Sequence, residues 1–256
     1  MDLGVRDHVY VLTGATRGLG HATATVLVAD GARVVVSGRT AASVEAAVAS
    51  LEAVGGAGCA VGVVADNASA SAPGELVAEA LDRWGRLDGV LISVGGPPGG
   101  TVSAMTDEQW LAAFDSVFLG AVRLARTVAA ELSDGGSIAF VLSTSVRQPI
   151  PGLAISNGLR PGLAMVAKTL ADELGPEGIR VNGLLPGRIA TERVAELDAS
   201  TGDAAASKAA ATAQIPLGRY GRPEEFGQVA AFVLSPAASF LSGVMVPVDG
   251  GMSRGL

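Results

Sequence analysis

Thr13-Gly14-Ala15-Thr16-Arg17-Gly18-Leu19-Gly20 joins a short apolar run, Val9-Tyr10-Val11-Leu12, to an Ala/Val-rich segment, His21 to Asp30. The run reads as a buried strand and the segment as a helix. Glycines in a strand-to-helix turn let the backbone come close to a ligand. The helix N-terminus adds unpaired N–H groups and a partial positive charge. A pyrophosphate is the ligand such a turn suits. The spacing is G-x-x-x-G-x-G rather than G-x-G-x-x-G. Taken alone, the turn also serves plain helix-on-strand packing, so the rest of the chain has to decide.

Outward from it, apolar runs alternate with helical patterns at a steady beat, the mark of repeated βαβ units. Strands are expected near Val9–Leu12, Arg33–Ser37, Cys59–Ala65, Gly89–Ser93, Ser137–Leu142, Arg180–Leu185 and Val244–Val248. Helices are expected near Ala42–Val54, Pro73–Trp84, Asp107–Leu132, Leu159–Leu174 and Pro223–Leu234. Pro161 predicts that the Leu159–Leu174 helix starts late, near Gly158, or kinks. Residues 190–214 are Ala-rich with scattered charge and read as mobile helices over a cleft. With no internal repeat and no linker, the expectation is one doubly wound α/β domain over residues 1–256. Its sheet should hold about seven strands, mostly or wholly parallel.

The chain has 256 residues, is 49% hydrophobic with only 4% aromatic, and carries a net charge of −7. Ala, Val and Leu suit parallel strands covered on both faces. No basic stripe is visible, so nucleic acid is not an expected partner. Cys59 is the only cysteine, and the two histidines, His8 and His21, stand apart from acidic clusters, so no metal site is expected. No signal peptide and no membrane-spanning run is seen, which points to the cytoplasm.

In sheets of this kind ligands sit beyond the carboxyl ends of the strands. Those ends gather Gly14–Gly20, Gly38-Arg39, Asp66-Asn67, Val94–Gly96, Ser143–Ser145 and Pro186–Thr191. After the second strand a carboxylate would meet a ribose 2′-hydroxyl, whereas a basic group accommodates a 2′-phosphate. Arg39 stands there, and Arg17 projects toward the same region. Two guanidinium groups favour the phosphorylated nicotinamide dinucleotide, NADP(H), over NAD. Arg39 as a solvated helix-cap residue is the rival reading. Asp66 suits the adenine amine, or else a turn or helix cap.

These residues carry a resemblance along nearly the whole chain. With Trp84-Gly85-Arg86-Leu87-Asp88, Gly178-Ile179-Arg180-Val181-Asn182, Pro186-Gly187-Arg188-Ile189-Ala190-Thr191, Ile215-Pro216-Leu217-Gly218-Arg219 and Val248-Asp249-Gly250-Gly251, the sequence resembles a short-chain dehydrogenase/reductase of the classical size. Within that family it looks like the 3-oxoacyl-(acyl-carrier-protein) reductase-like branch. The resemblance implies a Rossmann fold, a nicotinamide cofactor, carbonyl–alcohol chemistry and a homo-oligomer, tetramer or dimer. It implies a cofactor site drawn from Gly14, Thr16, Arg17, Gly18, Leu19, Gly20, Arg39, Asp66, Asn67, Gly95, Pro186 and Gly187. By the same resemblance Ile189 and Thr191 would touch the nicotinamide end.

The catalytic positions depart from the family. Ser143 fits its serine. Thirteen residues on, Ser156 stands where the tyrosine belongs, and four further, Arg160 replaces the lysine. The asparagine position falls on Val117. A phenol, with a pKa of ~10, can be tuned toward neutrality by a nearby cation, but a serine hydroxyl is a far weaker acid. Arg160 can steady charge but cannot serve as the acid. The expected mechanism has Ser143 bond the substrate carbonyl, Arg160 steady developing charge, and water or a substrate hydroxyl relay the proton. Ser156 is a candidate catalytic position whose preferred reading is a helix N-cap. Arg147, Gln148 and Arg188 are candidate substrate contacts. The expected substrate is a small or acyl-linked carbonyl. The rivals are a catalytically silent nucleotide-binding sensor or oligomer partner, and an enzyme of changed chemistry such as an isomerase or dehydratase.

Overall fold

In the computed structural model, residues 2–255 are described. Short apolar runs, buried on both faces in the central strands and only partly covered at the edges β3 and β7, build the seven strands β1 (Val9–Leu12), β2 (Arg33–Gly38), β3 (Ala60–Val64), β4 (Gly89–Ile92), β5 (Ser137–Val141), β6 (Arg180–Pro186) and β7 (Met245–Val248). They form one sheet in the order β3-β2-β1-β4-β5-β6-β7, and every pair is parallel. The order reverses between β1 and β4, so their carboxyl ends part and leave a crevice.

Alternate residues of each strand point to opposite faces. On one face Val11, Val90, Ile138 and Phe140 meet α3 (Ala72–Trp84), α5 (Gly120–Ala129) and α6 (Ala154–Leu174). On the other, Leu12, Val34, Val36 and Leu91 meet α1 (Gly18–Ala29), α2 (Ala41–Gly55) and α9 (Pro223–Leu234). Gly227 of α9 lies so close to α1 that an added Cβ would stand 2.6 Å from the Ala22 carbonyl oxygen.

Two helical expectations are corrected. The helical run from Asp107 is continuous, but it ends at Ala129 rather than Leu132 and its middle is π-helical. It is α4 (Asp107–Ala113), a π-helical turn (Phe114–Leu119) and α5, which ends at Ala129. The π turn brings Gly120 under the chain after β3, where a Cβ would lie 2.1 Å from the Asn67 carbonyl oxygen. The second correction is α6, which does not start late. It runs from Ala154 with Pro161 inside it. Burial of Ile155, Leu163, Ala164 and Ala167 along one face holds the helix together across the missing N–H. Ser156 is therefore inside the helix and not its N-cap, which is Leu153.

An interior proline costs a helix about 3 kcal/mol, offset by the roughly 0.4–1 kcal/mol it removes from unfolded-chain entropy. Pro161→Ala is therefore expected to stabilise the protein by about 1–3 kcal/mol. Urea unfolding measures this, and a loss of stability would show that α6 depends on the proline.

Candidate active site

The glycine turn is built by contacts that only glycine permits. Gly14 has φ of +56° and a Cβ there would meet the Ser93 carbonyl oxygen at 2.6 Å. Beside it Thr13 Oγ1 donates to Ser93 O at 2.9 Å and accepts from Ser93 N at 3.0 Å. Those two bonds tie the ends of β1 and β4 on either side of the crevice. Ala15 N bonds Ser37 O at 3.1 Å, which joins the turn to β2. Gly38 leaves room for the Thr16 methyl, 2.4 Å from where a Cβ would be. Arg17, at the N-cap of α1, has extended backbone and caps nothing, and the first turn holds no acid. The N-terminal N–H groups of α1 thus open onto the crevice without a side-chain partner, as an anion site requires.

Arg39 is exposed just past β2, with Thr40 capping α2 through Ser43 N. Arg17 pairs with Glu192 across the crevice mouth, both well exposed. Asp66 makes a local turn contact, with Oδ1 accepting from Ala68 N at 2.9 Å. Asn67 lies beneath Gly120, and Gly95 is exposed after β4.

At the carboxyl end of β5, Ser143 is half-buried and its Oγ accepts from Ser145 N at 3.1 Å. Ser145, which is not among the expected catalytic residues, is buried with its Oγ 3.3 Å from that of Ser156. Ser156 is thus a buried hydroxyl facing a second buried hydroxyl. Arg160 lies 5% exposed. Its Nη1 donates to Val141 O and its Nη2 to Val94 O at 3.4 Å, so the guanidinium spans the ends of β5 and β4. Its Nε is buried without a partner. Burial pushes its pKa down to about 10. Val117, at the asparagine position, is buried in the π turn.

Neither tyrosine replaces the missing phenol. Tyr10 is buried near the amino end of β1, 3.4 Å from His8 Nδ1, and burial raises its pKa. Tyr220 hydrogen-bonds the Asp198 carboxylate, and burial with that bond raises its pKa too.

The rim departs from expectation in part. Arg147 does not turn to the crevice: it donates to Gly255 O at 3.0 Å and Met245 O at 3.4 Å. Arg188, past β6, reaches Asp198 Oδ1 at 3.3 Å. Gln148 is exposed, and Asn157 clamps the loop by bonding both N and O of Ile150. Pro186 and Gly187 end β6, with Gly187 N bonding Val248 O at 3.1 Å. Ile189 is buried and bridges Gly221. Thr191 caps α7 (Glu192–Ala199) by accepting from Val194 N at 3.4 Å. Its methyl stands over Leu19's neighbour Gly18, 3.5 Å from the place of a Cβ. After α7 comes α8 (Ala204–Ala213). An exposed pair such as Arg17–Glu192 contributes about 0–1 kcal/mol. A buried charged cluster such as the one at Asp198 costs about 3–5 kcal/mol to break.

Among the described residues no cluster of potential metal ligands is found, and no helix is long and apolar enough to cross a membrane.

A family model described as enoyl-(acyl carrier protein) reductase matches residues 14–253. An uncharacterized oxidoreductase of Methylorubrum extorquens is 34% identical over 95% of this chain and 97% of its own length. A 3-oxoacyl-[acyl-carrier-protein] reductase of Synechocystis is 33% identical over 95% of this chain and 96% of its own. Among solved structures, L-sorbose reductase from Gluconobacter frateurii, complexed with NADPH and L-sorbose, superimposes with a TM-score of 0.92 at 28% identity, covering 100% of both chains.

Proposed function

The chain belongs to the short-chain dehydrogenase/reductase family, and from that membership we propose an NADP(H)-dependent oxidoreductase that interconverts a carbonyl and an alcohol without a phenolic acid. One observation carries this reading. The uncapped N-terminus of α1, reached through a turn with no room for a side chain at Gly14, opens at the same sheet edge as Ser143. Those features fit a dinucleotide, which in this family supplies or accepts a hydride.

The pyrophosphate belongs on Gly14–Gly20 and the first turn of α1. Arg39, with Arg17 once it leaves Glu192, would hold the 2′-phosphate. Asp66 and Asn67 flank the adenine end. Gly95, Pro186, Gly187, Ile189 and Thr191 frame the nicotinamide end. On the substrate side, Ser143 donates to the carbonyl oxygen. Arg160 contributes fixed positive potential from its dry position beneath that edge. The Ser145–Ser156 pair lends polar support behind Ser143. The proton itself comes from water or a substrate hydroxyl, since no described side chain at this edge is an acid of suitable strength. The substrate is a small or acyl-linked carbonyl compound, and the setting is the cytoplasm. Leu111, Phe114 and Met165 form an exposed apolar face along α4, the π turn and α6, the surface this reading gives to a second copy of the chain.

Titration of NADPH and NADH by nucleotide fluorescence, followed by turnover on ketones and 3-oxoacyl thioesters, tests this. NADPH should bind more tightly than NADH, and Ser143→Ala should lower turnover by about 10²-fold, the cost of removing one transition-state donor. Negligible affinity for both nucleotides overturns the cofactor assignment. Tight NADPH binding with no turnover on any carbonyl supports the second reading, a silent nucleotide-binding sensor or oligomer partner. That reading is favoured by the retraction of Arg160 onto two backbone carbonyls.

A further inference from the structure

The chain after β3, residues 66–70, has little of its own to hold it. Asp66 and Ala70 are exposed, and none of the residues between them is buried. Its own hydrogen bonds are short-range. Ala68 N donates to Asp66 Oδ1 at 2.9 Å and Ser69 N to Asp66 O at 2.9 Å, and the Ser69 and Ser71 hydroxyls lie 2.9 Å apart.

Among the described residues, one hydrogen bond reaches this segment from another element. Arg123 of α5 donates from Nη1 to Ala68 O at 3.1 Å. The same Nη1 donates to Asp115 Oδ1 at 3.0 Å, and that carboxylate aims it. The π turn, closed by Gly120 N on Asp115 O, lies between the two partners. It also seats Gly120 against the Asn67 carbonyl. Two successive carbonyls, Asn67 and Ala68, therefore face α5, one against a glycine and the other on a guanidinium. Beside them is an open cavity of about 440 Å³ lined by Ala70, Pro73, Arg123, Arg126 and Thr127, so packing does not replace the bond on that flank. The Arg123–Asp115 pair is part-exposed, and such pairs add little to folding stability. Its effect is local: without it, residues 66–70 are tied by hydrogen bonds only to their own neighbours.

We propose that Arg123 is a positioning residue for the adenosine half of the cofactor. Held by Asp115, it fixes the Ala68 carbonyl and with it the segment that carries Asp66 and Asn67. Those two residues then meet the adenine already arranged. Without the brace only a fraction of molecules presents them, and the apparent affinity falls by that fraction. That the ligand is an adenine nucleotide rests on the reading above; that Arg123 braces the loop does not.

Hydrogen exchange and nucleotide titration on the full chain test it. Arg123→Met should raise exchange of the Ala68 and Ser69 amides about tenfold while those of β1 and β4 stay protected. It should weaken NADPH and 2′,5′-ADP by the same factor, about tenfold, which places the loss on the adenosine half. Arg123→Lys keeps a donor and should recover most of the affinity, and Asp115→Ala should lose part of it. Unchanged affinity in Arg123→Met overturns the proposal, as does a loss for NADPH that 2′,5′-ADP does not share. A loss that Arg123→Lys fails to recover, with the strand amides exposed as well, also overturns it, since Arg123 then serves the fold alone. Should Arg123→Met not fold, Asp115→Ala and Arg123→Lys carry the same comparison. If the parent binds neither nucleotide, the nucleotide reading fails, and the exchange of Ala68 and Ser69 still decides the brace.

Discussion

Arg160→Met is expected to give a protein that melts higher than its parent and turns over at least about 10²-fold more slowly. The guanidinium is buried without a carboxylate beside it, and two backbone carbonyls are its only partners, with Nε left unpaired. Burial takes its pKa from the ordinary guanidinium value down to about 10. A cation whose folded pKa is lowered holds its proton less tightly in the folded state than in the unfolded one. The charged group therefore costs stability at every pH below about 10, and the cost fades only as pH climbs from there toward the ordinary guanidinium value. Each tenfold loss of proton affinity is worth ~1.36 kcal/mol, so the penalty is on the order of 3 kcal/mol. Methionine fills similar space without charge. The carbonyls of Val94 and Val141 lose a donor, which returns part of the gain. A net rise of about 1–2 kcal/mol in urea unfolding is expected, shrinking above pH 10 as the parent sheds its burden. A marked fall in stability would show that the guanidinium is a structural clamp. Equal turnover would remove Arg160 from the chemistry.

Arg180→Met is expected to do the reverse and destabilise by about 3–5 kcal/mol. Arg180 is as deeply buried, at 6% exposed. Its Nη1 reaches Val233 O at 2.8 Å and Leu241 O at 3.4 Å, and its Nη2 reaches Leu234 O at 3.2 Å and Ser235 O at 3.0 Å. Two of these carbonyls are the last of α9 and Ser235 is its C-cap, where a cation also meets the negative end of the helix dipole. The substitution strands those carbonyls and unties α9 from β6. Ser137 Oγ, 2.6 Å from Leu234 O, rescues only one of them. A small shift in the urea midpoint would contradict this. The two arginines differ in sign because one is saturated with acceptors and the other is left short.

The strands were legible because Val34-Val35-Val36 and Val90-Leu91-Ile92 are short apolar runs closed by Gly and polar residues, and their burial on both faces is what such runs mean. The glycine turn was legible because its local rule and its tertiary contacts agree. The π turn before Gly120 was not, since the Asn67 carbonyl that Gly120 packs against is far away in sequence. Pro161 misled because local propensity yields to a buried helix face. The spacing put Ser143 and Arg160 near one sheet edge, where both lie, but where Arg160 turns depends on the ends of β4 and β5. Asp198 gave no signal: an acid in an Ala-rich segment looks solvated, and its partner Tyr220 is 22 residues on. Arg147 was drawn off by the backbone of the C-terminal tail.

The paired bonds between Thr13 and Ser93 also bear on the order of events during synthesis. The glycine turn emerges from the ribosome early, yet its shape is set by a strand made some 80 residues later. A nascent chain ending before Ser93 carries the whole motif and its Ala15–Ser37 link, but neither of the bonds that tie Thr13 to Ser93. A ligand that needs the full geometry of this turn would meet it only after β4 has docked beside β1.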